Sequence, residues 1–381
     1  MNIFVNHLKY ASSFKIKNTD LLITRNFGYL GEVYPSCSVR FNNSIISNLA
    51  LIIPYIARHF LGRKFMPFLI DPLLETTILF PWQLRDIDVI YTHGIRVRLL
   101  FTKKNIPIVM DSGFMTNQYT GAVSDLDRID EVMKLKNIFK NIDIVALSSK
   151  DAIIRLSRLA PELEHKLRCA PTYLLSKLDT ATTAEVKKKY VKFDEVNISF
   201  IGRQGDRKGI ENFFLAIEQI KIHHLSIFKK LSITIISNEP LWKQRFLNLS
   251  EKIEFKLEAA YFEVKKIMRK SHIFCLPTKK EAFGLVYLEA MASGCVVIAD
   301  NRQPRLEIFR GENSAYLVDP LNVNEICEAI LDIVKNKEKS LKFALESRKK
   351  FKENYSKEAV AKKYIELFNE AISNQDTSYQ L

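Results

Sequence analysis

The stretch 272–300 constrains the fold more than any other part of the chain. It begins with a short apolar run, 272–276, which predicts a buried strand that ends at a proline. After a charged loop comes a helical stretch over 284–293, rich in small residues and ended by Gly294. A second apolar run, 295–299, follows directly. We therefore predict a strand–helix–strand unit, the building block of parallel sheets that bind ligands at the carboxyl ends of their strands.

Two acidic residues lie in this unit among apolar or small neighbours. Glu281 precedes the helix and Glu289 lies within it, eight positions later. Taken singly, the first is explained by the helix dipole and the second by a solvent-facing position. Between them, however, Gly284 allows a close approach of the backbone to a ligand, and the helix start offers unpaired N–H groups to an anion. Together the residues favour a nucleotide-sugar pocket, with a phosphate at the helix start and carboxylates that accept hydrogen bonds from hydroxyls.

A second unit supplies positive charge. Residues 197–201 predict a strand, and the loop GRQGDRKG over 202–209 leads into an amphipathic helix. Three cations and three glycines between a strand end and a helix start favour a phosphate site over a solvated turn. The loop is neither a G-x-G-x-x-G nor a Walker A sequence, which disfavours dinucleotide and P-loop sites.

These two segments carry a resemblance to a known family. EAFGLVYLEAMASGCVVIAD resembles the E-x7-E segment of retaining family-4 glycosyltransferases, the glycogen-synthase-like enzymes of GT-B fold, and GRQGDRKG is similar to their G-R-x4-K-G loop. The resemblance implies that Glu281 contacts the donor sugar and that Glu289 holds the ribose. It also implies that the N–H groups of Gly284 and Leu285, next to Phe283, meet the donor diphosphate.

The same resemblance assigns the cations. Arg203 and Lys208, in the loop that begins at Gly202, match the pair that clamps the diphosphate, and with Glu281 they are the expected catalytic residues. Arginine offers a planar fork to phosphate oxygens and lysine a mobile point charge, each such hydrogen bond being worth roughly 1.5–3 kcal/mol. Because the pair can replace a divalent metal at the pyrophosphate, we expect no metal and no cofactor beyond the donor substrate.

The first half of the chain matches the family less well. Residues 88–94, DVIYTHG, are similar to a D-V-(I/V)-x-x-H-G segment of the family and predict a strand that ends near His93. The next predicted strand, 106–110, opens into Asp111 and Ser112, where many members carry a histidine near the reacting sugar. We expect His93, Asp111 and Ser112 on the acceptor side.

The length of 381 residues exceeds that of one ordinary core, so two domains are expected. The resemblance implies an α/β fold of GT-B type, in which two Rossmann-like domains face a central cleft. We place the N-terminal acceptor-side domain at 1–175 and the nucleotide-sugar-binding domain at 193–354. A connection with solvated lysines is predicted over 176–192. A helix over 355–373 is predicted to return to the first domain, and a disordered tail follows.

Charge and cysteine content restrict the partners and the compartment. Five scattered cysteines without a C-x-x-C pair argue for a reducing compartment. No run reaches the roughly 18 apolar residues of a membrane span, and the first residues lack a signal-peptide core. We expect a cytoplasmic protein, with a peripheral position on the inner face of a membrane as an alternative.

The net charge of +14 attracts anionic lipid or acidic substrates, and the absence of nucleic-acid-binding motifs excludes nucleic acid as the expected partner.

The resemblance implies a retaining hexosyltransferase that moves a sugar from a UDP- or GDP-sugar to a hydroxyl of a glycan or lipid-linked acceptor, in cell-surface polysaccharide or glycolipid synthesis. A GT-B phosphorylase, or a transferase with a soluble acceptor, is the rival among enzymes. A non-catalytic GT-B paralogue that acts as a sugar- or lipid-binding partner subunit is the alternative from another class.

Overall fold

The computed structural model describes two compact units, Met1–Ser176 with Lys357–Leu381, and Lys177–Ser356. The described residues are 1–6, 36, 38–41, 76–79, 84–93, 96–99, 106–111, 136, 139–171, 180–191, 193–281, 283–311 and 313–378. Each unit is built on a six-stranded parallel sheet, so the predicted fold class of two parallel-sheet α/β domains is confirmed.

The sheet of the first unit has the strand order β2-β1-β4-β6-β7-β8, and β3 and β5 form a separate two-stranded sheet. Alternate residues of β4 enter cores on opposite faces, as expected for a parallel sheet that is covered on both sides. The strands are β1 (Asn2–Asn6), β2 (Ser38–Phe41), β3 (Thr76–Leu79), β4 (Val89–His93), β5 (Arg96–Leu99), β6 (Ile108–Asp111), β7 (Ile144–Leu147) and β8 (Leu167–Cys169).

Helices cover both faces of this sheet. Helix α1 (Lys150–Leu159) follows β7, and the side chain of Ser149 caps it by accepting a hydrogen bond from the N–H of Ala152 at 3.1 Å. A 3-10 turn, Pro161–Lys166, leads from α1 to β8. On the opposite face lies the C-terminal helix, Lys357–Ser378.

The C-terminal helix packs on the first unit through aromatic side chains. Tyr91 of β4 meets Tyr364 and Phe368 edge-on, with ring centroids 5.8 and 6.2 Å apart. The helix continues to residue 378, so the prediction of disorder from residue 374 is wrong for 374–378. No proline or glycine interrupts this part of the chain, and the ion pair of Arg168 with Glu370 at 2.5 Å holds the last turns.

The sheet of the second unit has the order β11-β10-β9-β12-β13-β14. Numbered from its first strand, this is the order 3-2-1-4-5-6 of Rossmann-like sheets, and the direction of winding reverses between β9 and β12. Ligands bind at such a switch point in open parallel sheets. The strands are β9 (Val196–Ile201), β10 (Leu231–Ile236), β11 (Ile253–Lys256), β12 (Ile273–Leu276), β13 (Val296–Asp300) and β14 (Tyr316–Val318).

Helices and short helical turns connect the strands of the second unit. The helix predicted over 284–293 is confirmed as α8. The described helices of this unit are α2 (Thr183–Val191), α3 (Gly205–Lys208), α4 (Ile210–His223), α5 (Leu225–Phe228), α6 (Pro240–Leu247), α7 (Tyr261–Lys270), α8 (Leu285–Ala292), α9 (Arg305–Ile308), α10 (Val323–Lys335) and α11 (Lys337–Asn354). No helix in the described ranges is long and apolar enough to cross a bilayer.

The connection with solvated lysines that the sequence predicts contains a helix, α2, in which Lys187 and Lys188 are exposed and Lys189 is not. Only Val186 and Tyr190, one turn apart, are buried in this helix, which is too few to give a visible apolar period. The side chain of Lys189 is half-buried. Its ammonium donates hydrogen bonds to the carbonyl oxygens of Ser271 and Ser293, at 2.7 and 3.0 Å. These two residues cap the C-termini of α7 and α8, where a positive charge is favourable.

Candidate functional site

The loops after β9 and β12 meet at the switch point of the second sheet. The two strands are hydrogen-bonded neighbours, so their carboxyl ends lie at the same sheet edge. The carbonyl oxygen of Arg207 accepts hydrogen bonds from the N–H of Lys279 at 2.9 Å and from the hydroxyl of Thr278 at 3.1 Å. The glycine-rich cationic loop is thereby joined to the loop that carries Glu281.

Glycine makes this close approach possible. Gly209 has φ +79°, and a Cβ atom there would overlap the carbonyl oxygen of Pro277. Gly284 has φ +87° and caps the N-terminus of α8, with its backbone against the ring of Tyr287. Both conformations strain any residue with a side chain, so glycine is required at both positions, of which Gly209 is the one where the two loops touch.

Lys208 and Glu281 form an ion pair across the two loops. The lysine is 8% exposed, and the carboxylate is also largely shielded from solvent. Burial, together with the charges of Arg207 and Arg305, lowers the pKa of Lys208 to about 7, and Asp300 opposes this shift. The contact with Glu281 also favours the charged ammonium. The resemblance places these two residues in one pocket, and the structure brings them into direct contact.

The other predicted donor-side residues differ in their exposure to solvent. Arg203 is exposed in the loop that begins at Gly202, and no partner of its guanidinium is found within the described part of the chain. Leu285 is the exposed first residue of α8. Phe283 differs from them, because its side chain is buried against Tyr355, with ring centroids 6.3 Å apart. Phe283 can therefore present only its backbone to a ligand.

Glu289 lies in α8 and faces the start of α7. The hydroxyl of Tyr261 donates to its carboxylate at 3.4 Å. Burial raises the pKa of Glu289 to about 7, although the hydrogen bond from Tyr261 and the charge of Lys265 lower it. A partly desolvated carboxylate beside a helix that begins at the sheet edge is suited to accept hydrogen bonds from vicinal hydroxyls.

This environment gives a pH-dependent prediction. Because the pKa of Glu289 is higher in the folded protein than its ordinary value of 4.5, its contribution to stability is present below pH 4.5 and is lost as pH rises through about 7. We expect Glu289→Gln to stabilise the donor-free protein at pH 8 more than at pH 5. Urea unfolding at both pH values measures the difference, with the exposed Glu258→Gln as control. An equal effect of Glu289→Gln at both pH values would contradict the prediction.

Three functional candidates escape the sequence analysis. Asp300 ends β13 and Arg305 begins α9, and the two form a bidentate ion pair at 2.7 and 2.8 Å. Their side chains are 0% and 2% exposed. Arg207 donates to the carbonyl oxygen of Lys280 at 2.6 Å. The only sequence signal for the pair is an acid at the end of an apolar strand with an arginine five positions later.

The acceptor-side predictions fall in the first unit. Asp111 ends β6, is 4% exposed and accepts a hydrogen bond from the hydroxyl of Tyr91 at 3.3 Å. The register of β4 and β6 pairs His93 with Asp111 at the carboxyl edge of the sheet. Ser112 and the side chain of His93 lie outside the described residues. No group of three metal-ligand side chains occurs in the ranges that the structure describes.

Known proteins share both the sequence pattern and the fold. Residues 182–376 match the family model of glycosyl transferases group 1. An uncharacterized glycosyltransferase of Methanocaldococcus jannaschii is 27% identical over 263 residues, which cover 61% of this chain and 71% of that protein.

Solved structures resemble the chain over nearly its whole length. Sucrose-phosphate synthase from Thermosynechococcus elongatus superposes with a TM-score of 0.64 at 17% identity, covering 98% of this chain and all of that one. HepE of Anabaena, in complex with UDP and glucose, gives a TM-score of 0.61 at 11% identity, covering 97% and 99%. Both are GT-B glycosyltransferases, and at this level of identity the likeness concerns the fold.

Proposed function

The chain belongs to the glycosyl transferases group 1 family, and from this premise we propose that it is a retaining hexosyltransferase. The donor is a UDP- or GDP-sugar, and the acceptor is a hydroxyl of a glycan or lipid-linked molecule in cell-surface polysaccharide or glycolipid synthesis. The observation that carries the proposal is the contact of Lys208 with Glu281 at the switch point, where a Rossmann-like sheet binds its ligand. The UDP and glucose held by HepE support a donor of this class.

The proposed chemistry needs a site that stabilises the departing diphosphate. Lys208 and Arg203 supply positive charge next to the start of α8, where backbone N–H groups face the phosphate. Because these groups belong to the protein and lie at the site before the donor binds, they can stabilise negative charge as it grows on the leaving group, and such stabilisation usually contributes most to catalysis. The cations and the helix start take the role of a divalent metal, so we propose a metal-independent reaction.

The two carboxylates bind the transferred sugar and the ribose of the donor. Glu281 accepts hydrogen bonds from hydroxyls of the transferred sugar once Lys208 turns to the diphosphate, and Glu289 accepts them from the ribose. Retention at the anomeric carbon follows if the acceptor hydroxyl attacks from the face that the diphosphate leaves. Asp111, with His93 beside it in the register, is the proposed acceptor-side group. The net charge of +14 suits an acceptor presented at an anionic membrane surface.

A thermal-shift screen with UDP-, GDP- and ADP-sugars tests this function. A donor at 100 times its Kd stabilises the protein by about 2.7 kcal/mol. We expect Arg203→Ala to weaken donor binding about 10- to 100-fold, since a charge-assisted hydrogen bond to phosphate is lost. Arg158→Ala, which removes an exposed arginine in the last turn of α1, is the matched control. Absence of a shift with every nucleotide sugar would refute the proposal.

The alternative of a non-catalytic partner subunit predicts binding without turnover. Slow hydrolysis of the bound UDP- or GDP-sugar in the absence of acceptor separates the two functions, because only an enzyme activates the donor. Release of free sugar by the wild-type protein supports the transferase. Tight binding with no release, both alone and with a panel of glycan acceptors, supports the binding subunit.

A further inference from the structure

The loop that carries Glu281 is held by arginines from both neighbouring loops. Three consecutive carbonyl oxygens, those of residues 279–281, each accept a hydrogen bond from a different guanidinium. The donors are Arg302 to residue 279 at 2.9 Å, Arg207 to residue 280 at 2.6 Å and Arg305 to residue 281 at 2.9 Å. Surface loops ordinarily leave such carbonyls to water. Here, arginines that follow β9 and β13 hold the backbone of 279–281 from both sides.

Of the three arginines, Arg305 has the least freedom to move. Its side chain is 2% exposed, whereas those of Arg207 and Arg302 are 38% and 45% exposed. Asp300 at 0% exposure takes up two of its N–H groups, and a third N–H reaches the carbonyl of Glu281. Arginine alone has enough donors in a rigid plane to make both contacts.

A requirement for stability does not explain this arrangement well. A buried ion pair contributes little compared with apolar side chains of similar volume, because both charges must leave water. Asp300 and Arg305 therefore give the second unit no obvious advantage over a leucine and a methionine. What the apolar pair could not do is donate a hydrogen bond to the backbone of Glu281.

We propose that Arg305, oriented by Asp300, is a positioning residue that fixes the backbone of Glu281 and thereby aims its carboxylate at the donor sugar. The inference rests on the proposed function, in which Glu281 contacts that sugar. Arg305 is screened from solvent and need not contact the donor itself. Its effect is on preorganisation, since displacement of a reacting group by about 1 Å can cost on the order of 100-fold in rate.

The test compares Arg305→Lys with the double variant Asp300→Leu/Arg305→Met. Donor hydrolysis or transfer gives kcat and KM for UDP-glucose, or for GDP-mannose if the screen selects guanine. The Kd of UDP or GDP alone reports the diphosphate part of the site, and the melting temperature reports the fold. The control is Arg310→Lys, an exposed arginine just after α9.

We expect Arg305→Lys to lower kcat about 10- to 100-fold while the Kd of the free nucleotide changes by less than about threefold. The double variant should melt near the wild-type temperature and yet keep the low kcat, because it restores packing without the donor to Glu281. This split between fold and turnover is the signature of positioning.

Three outcomes are decisive. If the double variant regains both stability and kcat, Arg305 is only structural and the inference is overturned. A wild-type kcat for Arg305→Lys overturns it as well, and if that variant does not fold, the double variant decides alone. If the wild-type protein binds neither UDP nor GDP, the proposed function itself has failed, whatever Arg305 does.

Discussion

Lys208→Met is expected to lower donor turnover by about 100- to 1,000-fold while the protein stays folded. Methionine nearly matches the length and volume of the lysine stem, so the packing against Gly202 is kept. What is lost is the cation that, under the proposed function, stabilises the departing diphosphate. Removal of one preorganised electrostatic group of this kind typically costs about 100- to 1,000-fold in kcat. The rate of sugar release at saturating UDP- or GDP-sugar measures the effect.

Two further variants test whether the loss of turnover comes from the missing positive charge of Lys208. Lys270→Met removes an exposed lysine at the end of α7 and should leave turnover unchanged. Lys208→Met also removes the nearest cation of Glu281, whose longer contact with Arg207, at 3.8 Å, remains. Lys208→Met/Glu281→Gln should therefore recover melting temperature without recovering turnover. Turnover by Lys208→Met within about threefold of wild type would remove Lys208 from the proposed chemistry.

Gly209→Ala is expected to be the most destabilising small substitution at the site. A residue with a Cβ atom costs roughly 1–2 kcal/mol in the left-handed conformation that Gly209 adopts at φ +79°. The added Cβ also overlaps the carbonyl oxygen of Pro277, which is backbone and cannot rotate away. The loops after β9 and β12 must separate to relieve the overlap, so donor affinity should fall together with stability.

Gly311→Ala is the matched control for this prediction. Gly311 has φ +94°, but a Cβ atom there would have Lys350 Nζ, at 3.5 Å, as its neighbour. Both variants carry the conformational strain, and only Gly209→Ala adds the steric overlap. Urea unfolding should therefore show a clearly larger loss for Gly209→Ala, and donor binding should weaken in that variant alone. Equal losses in stability would mean that the contact of the two loops is not what the glycine protects.

The sequence predicts the second unit better than the first because its signals are local. The apolar run before Pro277, the stop at Gly294 and the cationic loop over 202–209 each depend on neighbours in the chain. They are sufficient to predict two strand–loop–helix segments and the sheet edge at which Lys208 and Glu281 lie. Their contact itself depends on the pairing of β9 with β12, which brings together residues 73 positions apart.

The features that the sequence does not predict depend on pairs of residues that are distant in the chain and come into contact only in the folded protein. Helix α2 shows no apolar period because only two of its residues are buried. Lys189 is half-buried beside them, and the C-termini of two other helices supply its hydrogen-bond acceptors. Arg305 has the appearance of a surface arginine in the sequence. Only the turn after β13 shows that Asp300 and the carbonyl of Glu281 enclose it.

The contact of Lys208 with Glu281 has a consequence for the protein between two turnovers. Each of these two groups already faces an opposite charge within the protein, so each has an internal counter-ion. Orthophosphate, which is abundant in cells, would have to displace the carboxylate of Glu281 to reach the ammonium of Lys208. It carries no sugar hydroxyls that could donate hydrogen bonds to the displaced carboxylate. Under the proposed function, a nucleotide sugar brings both parts at once, so the ion pair should favour binding of the donor over binding of simple anions.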